Sequence, residues 1–392
     1  MSRVRANVWK IYAFKLLSDF LMIVPIILPF YKACGLTVTR FLVAQAVFSA
    51  GALAFEIPSG YLADALGRKR ALVLGAAFFP LGLLVYALSS SFWAFCAAEL
   101  LLAASASLRS GTDSALVFDT LRELGEEAAY ARVEGRARFF ERLGTAISSV
   151  GGGLLALVSL RLPLYVNAAV GALLLAAALS FVEPARAERR ARSPLRDMLG
   201  ITAAALRDRR ILGLALFQAL FLCSGIVGIW LAFLYYGALG LGPAWCGGLF
   251  CAFQLLAGLA SDRAAALERP LGPRLLPWLL LLVGPSFVAL GLATTAWLVP
   301  LALLNAALWG ASTPLVLDRL NRLIASEVRA TVLSVSGMVS RVFLVICFPI
   351  FGAIVDHASL AAAYLALGGA VIALGVPLVA GLAPFRAARS GR

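Results

Sequence analysis

Apolar residues run in stretches of about 20 along the whole chain, separated by short polar connections. Each stretch is long enough to cross a ~30 Å hydrocarbon core as a helix, whereas a membrane barrel would show alternating segments of about 10 residues. The pattern predicts twelve spans, near 8–30, 38–63, 70–90, 92–117, 136–158, 162–182, 208–236, 243–262, 274–293, 296–317, 329–355 and 359–384. The expected fold class is an all-α membrane protein with twelve transmembrane helices in two six-helix bundles.

Composition agrees: the chain is 62% hydrophobic and 14% charged, where a soluble domain carries roughly a quarter charged residues. A net charge of +14 raises the question of nucleic acid, and placement answers it. Of the 34 basic residues, only Lys32, Arg40 and Arg161 fall on one side of the predicted membrane, and nearly all the others on the opposite side. That asymmetry reports topology. It places both termini in the cytoplasm of a multi-pass protein of the cell inner membrane, and heavy Ala and Arg usage points to a bacterium. No stacking aromatics or basic stripe indicates a nucleic-acid partner. The first apolar run contains Lys15 and Asp19 and lacks the short core and small-residue cleavage site of a signal peptide, so it should persist as a helix. Six cysteines stand singly without metal-ligand spacing and read as small core residues. His357, at the end of the eleventh span, reads as an exposed loop residue.

An internal repeat organises the chain. Phe55–Asp64 aligns with Phe253–Asp262, and Ala115–Leu124 with Pro314–Leu323. Arg142 and Gly153 fall on Arg341 and Gly352, all at an offset of 198 or 199. The expected organisation is 1–185 and 208–392 as parallel bundles, joined by a basic linker over 186–207 with an amphipathic helix near 195–207. Parallel repeats place a substrate site between them near the midplane. There is no Walker-type phosphate loop and no selectivity-filter sequence, so ATP-driven and channel mechanisms are set aside.

The most specific motif is Gly60-Tyr-Leu-Ala-Asp64-Ala-Leu-Gly67-Arg68-Lys69-Arg70, in the turn after the second span. Gly60 would allow close helix approach, Asp64 would accept from a helix N-terminus, Gly67 would permit the turn, and Arg68 and Lys69 would anchor it. The motif resembles that of the major facilitator superfamily, with Ala65 where an Arg often stands. The resemblance covers essentially the whole chain. It implies a gating charge cluster joining Asp64 and Arg68 to Asp119 at the end of the fourth span. In the fifth span, Gly135, Gly144, Ser148-Ser149 and Gly152-Gly153 keep the spacing of the superfamily's exporter motif, with Ser-Ser in place of Gly-Pro. Close packing of small residues explains the same spacing equally well.

Ionisable residues inside spans are costly and by default functional. Lys15 and Asp19 stand one turn apart in the first span and Glu56 lies in the second. Glu99, Arg109 and Asp113 lie in the fourth, Glu141 and Arg142 in the fifth, and Arg341 in the eleventh. Intrahelical pairs Lys15–Asp19 and Arg109–Asp113 are possible at this spacing. The candidate coupling set is Asp19, Asp113, Arg109, Glu141 and Glu56. The candidate substrate-cavity set is Lys15, Glu99, Arg142, Gln218, Trp230, Asn305, Trp309 and Arg341, with the second half mostly neutral. The reading is a non-enzymatic, monomeric secondary transporter in the lipid bilayer with no cofactor or metal. It would exchange protons for a small, largely apolar drug-like or metabolite substrate. A proton-coupled importer of a small organic ion and a transporter-derived receptor remain as alternatives.

Overall fold

The structure, a computed structural model, describes residues 3–185, 207–324 and 329–381. The amphipathic helix expected near 195–207 falls, but for Arg207, outside them. The described residues form helices and connecting turns: α1 (Asn7–Ser18), α2 (Ile27–Ala33), α3 (Val38–Leu66), α4 (Arg68–Leu88), α5 (Phe92–Arg109), α6 (Thr112–Glu123), α7 (Tyr130–Leu155), α8 (Leu162–Ser180), α9 (Arg209–Ala238), α10 (Pro243–Leu271), α11 (Leu275–Leu292), α12 (Val299–Leu323), α13 (Arg329–His357) and α14 (Leu360–Gly381). Two compact units emerge. One holds α1 to α8 with Gly242–Cys251, and the other holds α9, the remainder of α10, and α11 to α14.

Ten helical stretches are long and apolar enough to cross a membrane, among them Phe92–Glu123, which joins α5 and α6. The chain is thus a multi-pass, all-helical membrane protein. The first and fifth predicted spans are helical but more polar or interrupted, carrying Lys15 in α1 and Glu134, Arg138, Glu141 and Arg142 in α7.

Two of the predicted spans are broken. The first stops at Ser18 and resumes at Val24 through a short 3₁₀ turn. Pro25 lacks an N–H and favours this restart. Backbone exposed at a break must find partners inside the protein, because lipid offers none. Here the partners are side chains: Asn167 accepts from the Met22 N–H at 2.7 Å and donates to the Phe20 carbonyl at 2.5 Å. Ser148 accepts from the Leu21 N–H at 3.1 Å, and Thr145 donates to the Asp19 carbonyl at 3.2 Å. The second break falls at Ser110-Gly111, where Gly111 adopts φ +73°, a conformation that costs other residues strain.

The small residues of α7 allow it to sit directly on this irregular backbone. A Cβ added at Gly144 would lie 1.9 Å from the Leu16 carbonyl oxygen, and one at Gly152 would lie 2.1 Å from that of Met22. Ser148 and Ser149 are fully buried. Beneath them Phe14, Phe79, Leu83, Leu116 and Leu174 form the apolar core of the first unit.

Candidate functional site

The breaks in the first and fourth spans face a cavity of about 280 Å³ lined by Lys15, Ser18, Asp19, Arg109, Asp113, Ser114, Arg138 and Glu141. Lys15 of the cavity set and Asp19, Asp113, Arg109 and Glu141 of the coupling set therefore come together around one cavity. The pairing differs from the sequence expectation. Lys15 Nζ bonds Asp113 at 2.6 Å and approaches Glu141 at 3.6 Å. Arg109 Nη1 donates to the Ser18 carbonyl at 2.8 Å while its guanidinium stands 5.2 Å from the Phe79 ring centre. The intrahelical pairs Lys15–Asp19 and Arg109–Asp113 are replaced because each helix ends between the partners, at Ser18 and at Arg109. Asp19, partly exposed to the cavity, takes part in no ion pair among the described residues.

Glu134 extends the cluster and is not among the sequence candidates. Ser114 Oγ donates to its Oε1 at 2.8 Å, and Arg138 bonds the same oxygen at 3.1 Å. Its Oε2 is buried without a partner. Its place in a charge-rich connection hid it, since nothing in the sequence shows that α7 begins at Tyr130 and turns Glu134 inward.

The motif turn has the geometry the charges imply. Arg68 bonds Asp64 at 2.9 Å and approaches Asp119 at 3.7 Å, and Asp119 also bonds Arg122 at 3.0 Å. Gly67 makes the turn with φ +110°. Glu183 supplies an unforeseen element, accepting from the Arg68 and Lys69 backbone N–H groups at 2.8 and 2.7 Å and so capping α4. Gly60 does not serve close approach, because a Cβ there would meet nothing within 4 Å.

Other candidates lie elsewhere. Glu99 is buried among Tyr86, Gln45 and Tyr31, away from the lining of the Lys15 cavity. Glu56 is half-buried on α3 and Arg142 is exposed on α7; neither lines that cavity. In the second unit, Gln218 accepts from Ser336 at 2.8 Å, and the Trp309 ring lies tilted against Phe253 with centroids 6.1 Å apart. Trp230 and Arg341 are half-buried. Asn305 accepts from Ser286 at 2.8 Å and lines a small recess with Gly225, Gly228, Phe287 and Tyr364. The Asn305 Nδ2 and Tyr364 hydroxyl groups are buried without partners. The recess offers about 10 Å³, room for roughly one water.

Long apolar helices and an open, charged cavity at two broken spans fit a membrane transporter, and comparison with known proteins identifies its family. Residues 11–346 match the model of the Major Facilitator Superfamily, and the chain belongs to that family. No curated protein matches the sequence. Solved structures share the fold. A mutant of the nucleoside transporter NupG has a TM-score of 0.79 at 14% identity, covering 96% of this chain and 99% of its own. The peptide transporter POT, as a mutant in complex with sulfate, gives 0.76 at 14% identity over 95% and 93%. A bacterial homolog of the human lysosomal transporter Spinster, inward-facing and unoccupied, gives 0.74 at 15% identity over 98% and 96%. At these identities the likeness speaks for the fold alone. Membership of that family makes the protein a secondary transporter of small molecules.

Proposed function

We propose that the protein is a proton-coupled antiporter that exports a small, largely apolar drug-like or metabolite compound by alternating access, and that Asp19 exchanges the proton. The observation that carries this reading is Asp19 itself, a carboxylate at the break after α1, open to a polar cavity and in no ion pair among the described residues. An ionised acid in that position costs at least ~2.5 kcal/mol unless it finds a cation or takes up a proton. The neighbouring acids are ion-paired, Asp113 and Glu141 with Lys15 and Glu134 with Arg138, whereas Asp19 feels the charge of the buried Arg109 guanidinium without an ion-pair contact to it, which makes Asp19 the group with exchange capacity. Binding of a proton and of a substrate cation at one acid, at different stages of a cycle, is what antiport requires.

Gln218, Trp230, Asn305, Trp309 and Arg341 supply the mostly neutral counterpart in the second unit. The Asp64–Arg68–Asp119 cluster acts as the gate on the cytoplasmic side. The spacing of the exporter motif in α7, whose small residues serve close packing as well, is the sequence feature that points to export. The test is purified protein in liposomes with an imposed pH gradient, screened with apolar amines and neutral metabolites. Substrate-driven proton movement, with substrate carried against its gradient towards the acidic side, is expected. Transport indifferent to the pH gradient would end the proton reading, and accumulation on the alkaline side would reverse the direction.

A further inference from the structure

A second buried carboxyl group lies outside the Lys15 cavity. Glu99 is 4% exposed and sits ten residues before Arg109 on α5, about 15 Å away along the helix axis. Two donors reach it: the Tyr86 hydroxyl from α4 and the Gln45 side-chain amide from α3, each at 2.5 Å. Both converge on Oε1. Behind Tyr86 the Tyr31 hydroxyl of α2 lies 3.0 Å away. Phe95 closes the site, its ring 4.8 Å from that of Tyr31 and 4.9 Å from that of Tyr86.

The other titratable groups facing this site are Cys96 beside Glu99 and Cys34 beside Tyr31. The neighbouring cations are engaged at its rim. Arg161 stands over the Phe30 ring at 5.6 Å and bonds the Ala87 carbonyl and Ser90 hydroxyl, while Arg40 stands over Phe92 at 6.0 Å. Neither forms an ion pair with Glu99.

An ionised carboxylate spreads its charge over two equivalent oxygens, each able to accept about two donors. Here one oxygen takes both donors, and Oε2 receives none among the described residues. That asymmetry matches a neutral acid, with Oε1 as its carbonyl oxygen and the O–H on Oε2. We propose that Glu99 holds a proton in this conformation, making a second protonation site in the first unit, separate from the Lys15 cavity. The site lies towards the ends of α3, α4 and α5 near Val38, Leu88 and Phe92, opposite the Asp64–Arg68 turn. Parting of those ends admits water to Oε2. The O–H bond then breaks, the proton passes to water, and Tyr86 and Gln45 remain as donors to the anion.

Infrared difference spectroscopy on the purified full chain in lipid tests this. A protonated-carboxyl carbonyl band is expected in the wild type at neutral pH and should be lost in Glu99→Gln. It should persist in Tyr86→Phe, shifted to higher frequency by the loss of one donor. It should persist unchanged in Asp19→Asn, so failure of the coupling role of Asp19 leaves this proposal standing. Identical carboxyl spectra for the wild type and Glu99→Gln would overturn it. Should Glu99→Gln fail to fold, an unmoved band in Tyr86→Phe would overturn it equally.

Discussion

Asn167 is fully buried and bridges the broken first span, so Asn167→Ala is a sensitive probe of how that break is maintained. The substitution removes an acceptor 2.7 Å from the Met22 N–H and a donor 2.5 Å from the Phe20 carbonyl. Two backbone groups then remain unpaired where lipid cannot replace their partner. A buried polar group left unsatisfied costs about 1–3 kcal/mol, so the pair sums to roughly 2–6 kcal/mol. Polar contacts in membranes average only about 0.6 kcal/mol in double-mutant cycles, which sets a floor near 1 kcal/mol. Ser148→Ala removes one partner of the break, the acceptor of the Leu21 N–H, along with a local hydroxyl bond to the Thr145 carbonyl of its own helix, and should cost about half as much. The assay is thermal unfolding of purified protein in detergent, followed by tryptophan fluorescence, beside transport at a temperature where each variant stays folded. Asn167→Ala should melt lowest, Ser148→Ala between it and the wild type. Asn167→Ala should also lose transport while still folded, because the same break sets Asp19 in the cavity. A variant that melts and transports like the wild type would refute the idea that side chains hold the break.

Gly144→Ala should destabilise by about 1–3 kcal/mol through overpacking, since its Cβ would meet the Leu16 carbonyl oxygen at 1.9 Å. Gly135→Ala, with nothing within 4 Å, should be neutral or stabilising by up to about 1 kcal/mol from helix propensity; equal melting shifts for the two would contradict the packing account. Glu183→Ala should cost about 0.5–2 kcal/mol by uncapping α4, read in the same melting assay. Asp64→Asn should abolish transport with insertion and melting little changed. The Asp64 side chain is 57% exposed, and such an ion pair adds little stability. Wild-type transport by Asp64→Asn in liposomes would remove its gating role.

The membrane fold was legible because lipid imposes long apolar runs that few other constraints produce. The motif turn was legible in part: Gly67 takes positive φ, and Arg68 lies between Asp64 and Asp119, whereas Gly60 meets no neighbour and Glu183 accepts from the first N–H groups of α4. The pairing inside the site was not. Spacing alone made Lys15–Asp19 and Arg109–Asp113 neighbours, which holds only on an unbroken helix. The break after Ser18 depends on Thr145, Ser148 and Asn167, each more than a hundred residues away, and no local signal shows them. Glu134 and Glu183 went unrecognised because charged residues near span ends usually face water. Glu99 belongs to its own hydrogen-bonded site because Gln45 and Tyr86 reach it from two other helices, with Tyr31 bonded behind Tyr86.

Asp19→Asn, reconstituted in liposomes and assayed for substrate accumulation under an imposed pH gradient, tests the central claim most directly. The account predicts a folded protein that still binds and exchanges substrate but no longer concentrates it when the pH gradient is applied, with Asp113→Asn instead losing stability through its broken bond to Lys15. Asp19→Asn protein that still concentrates substrate at the expense of the proton gradient would contradict it and place the exchanging proton on another acid.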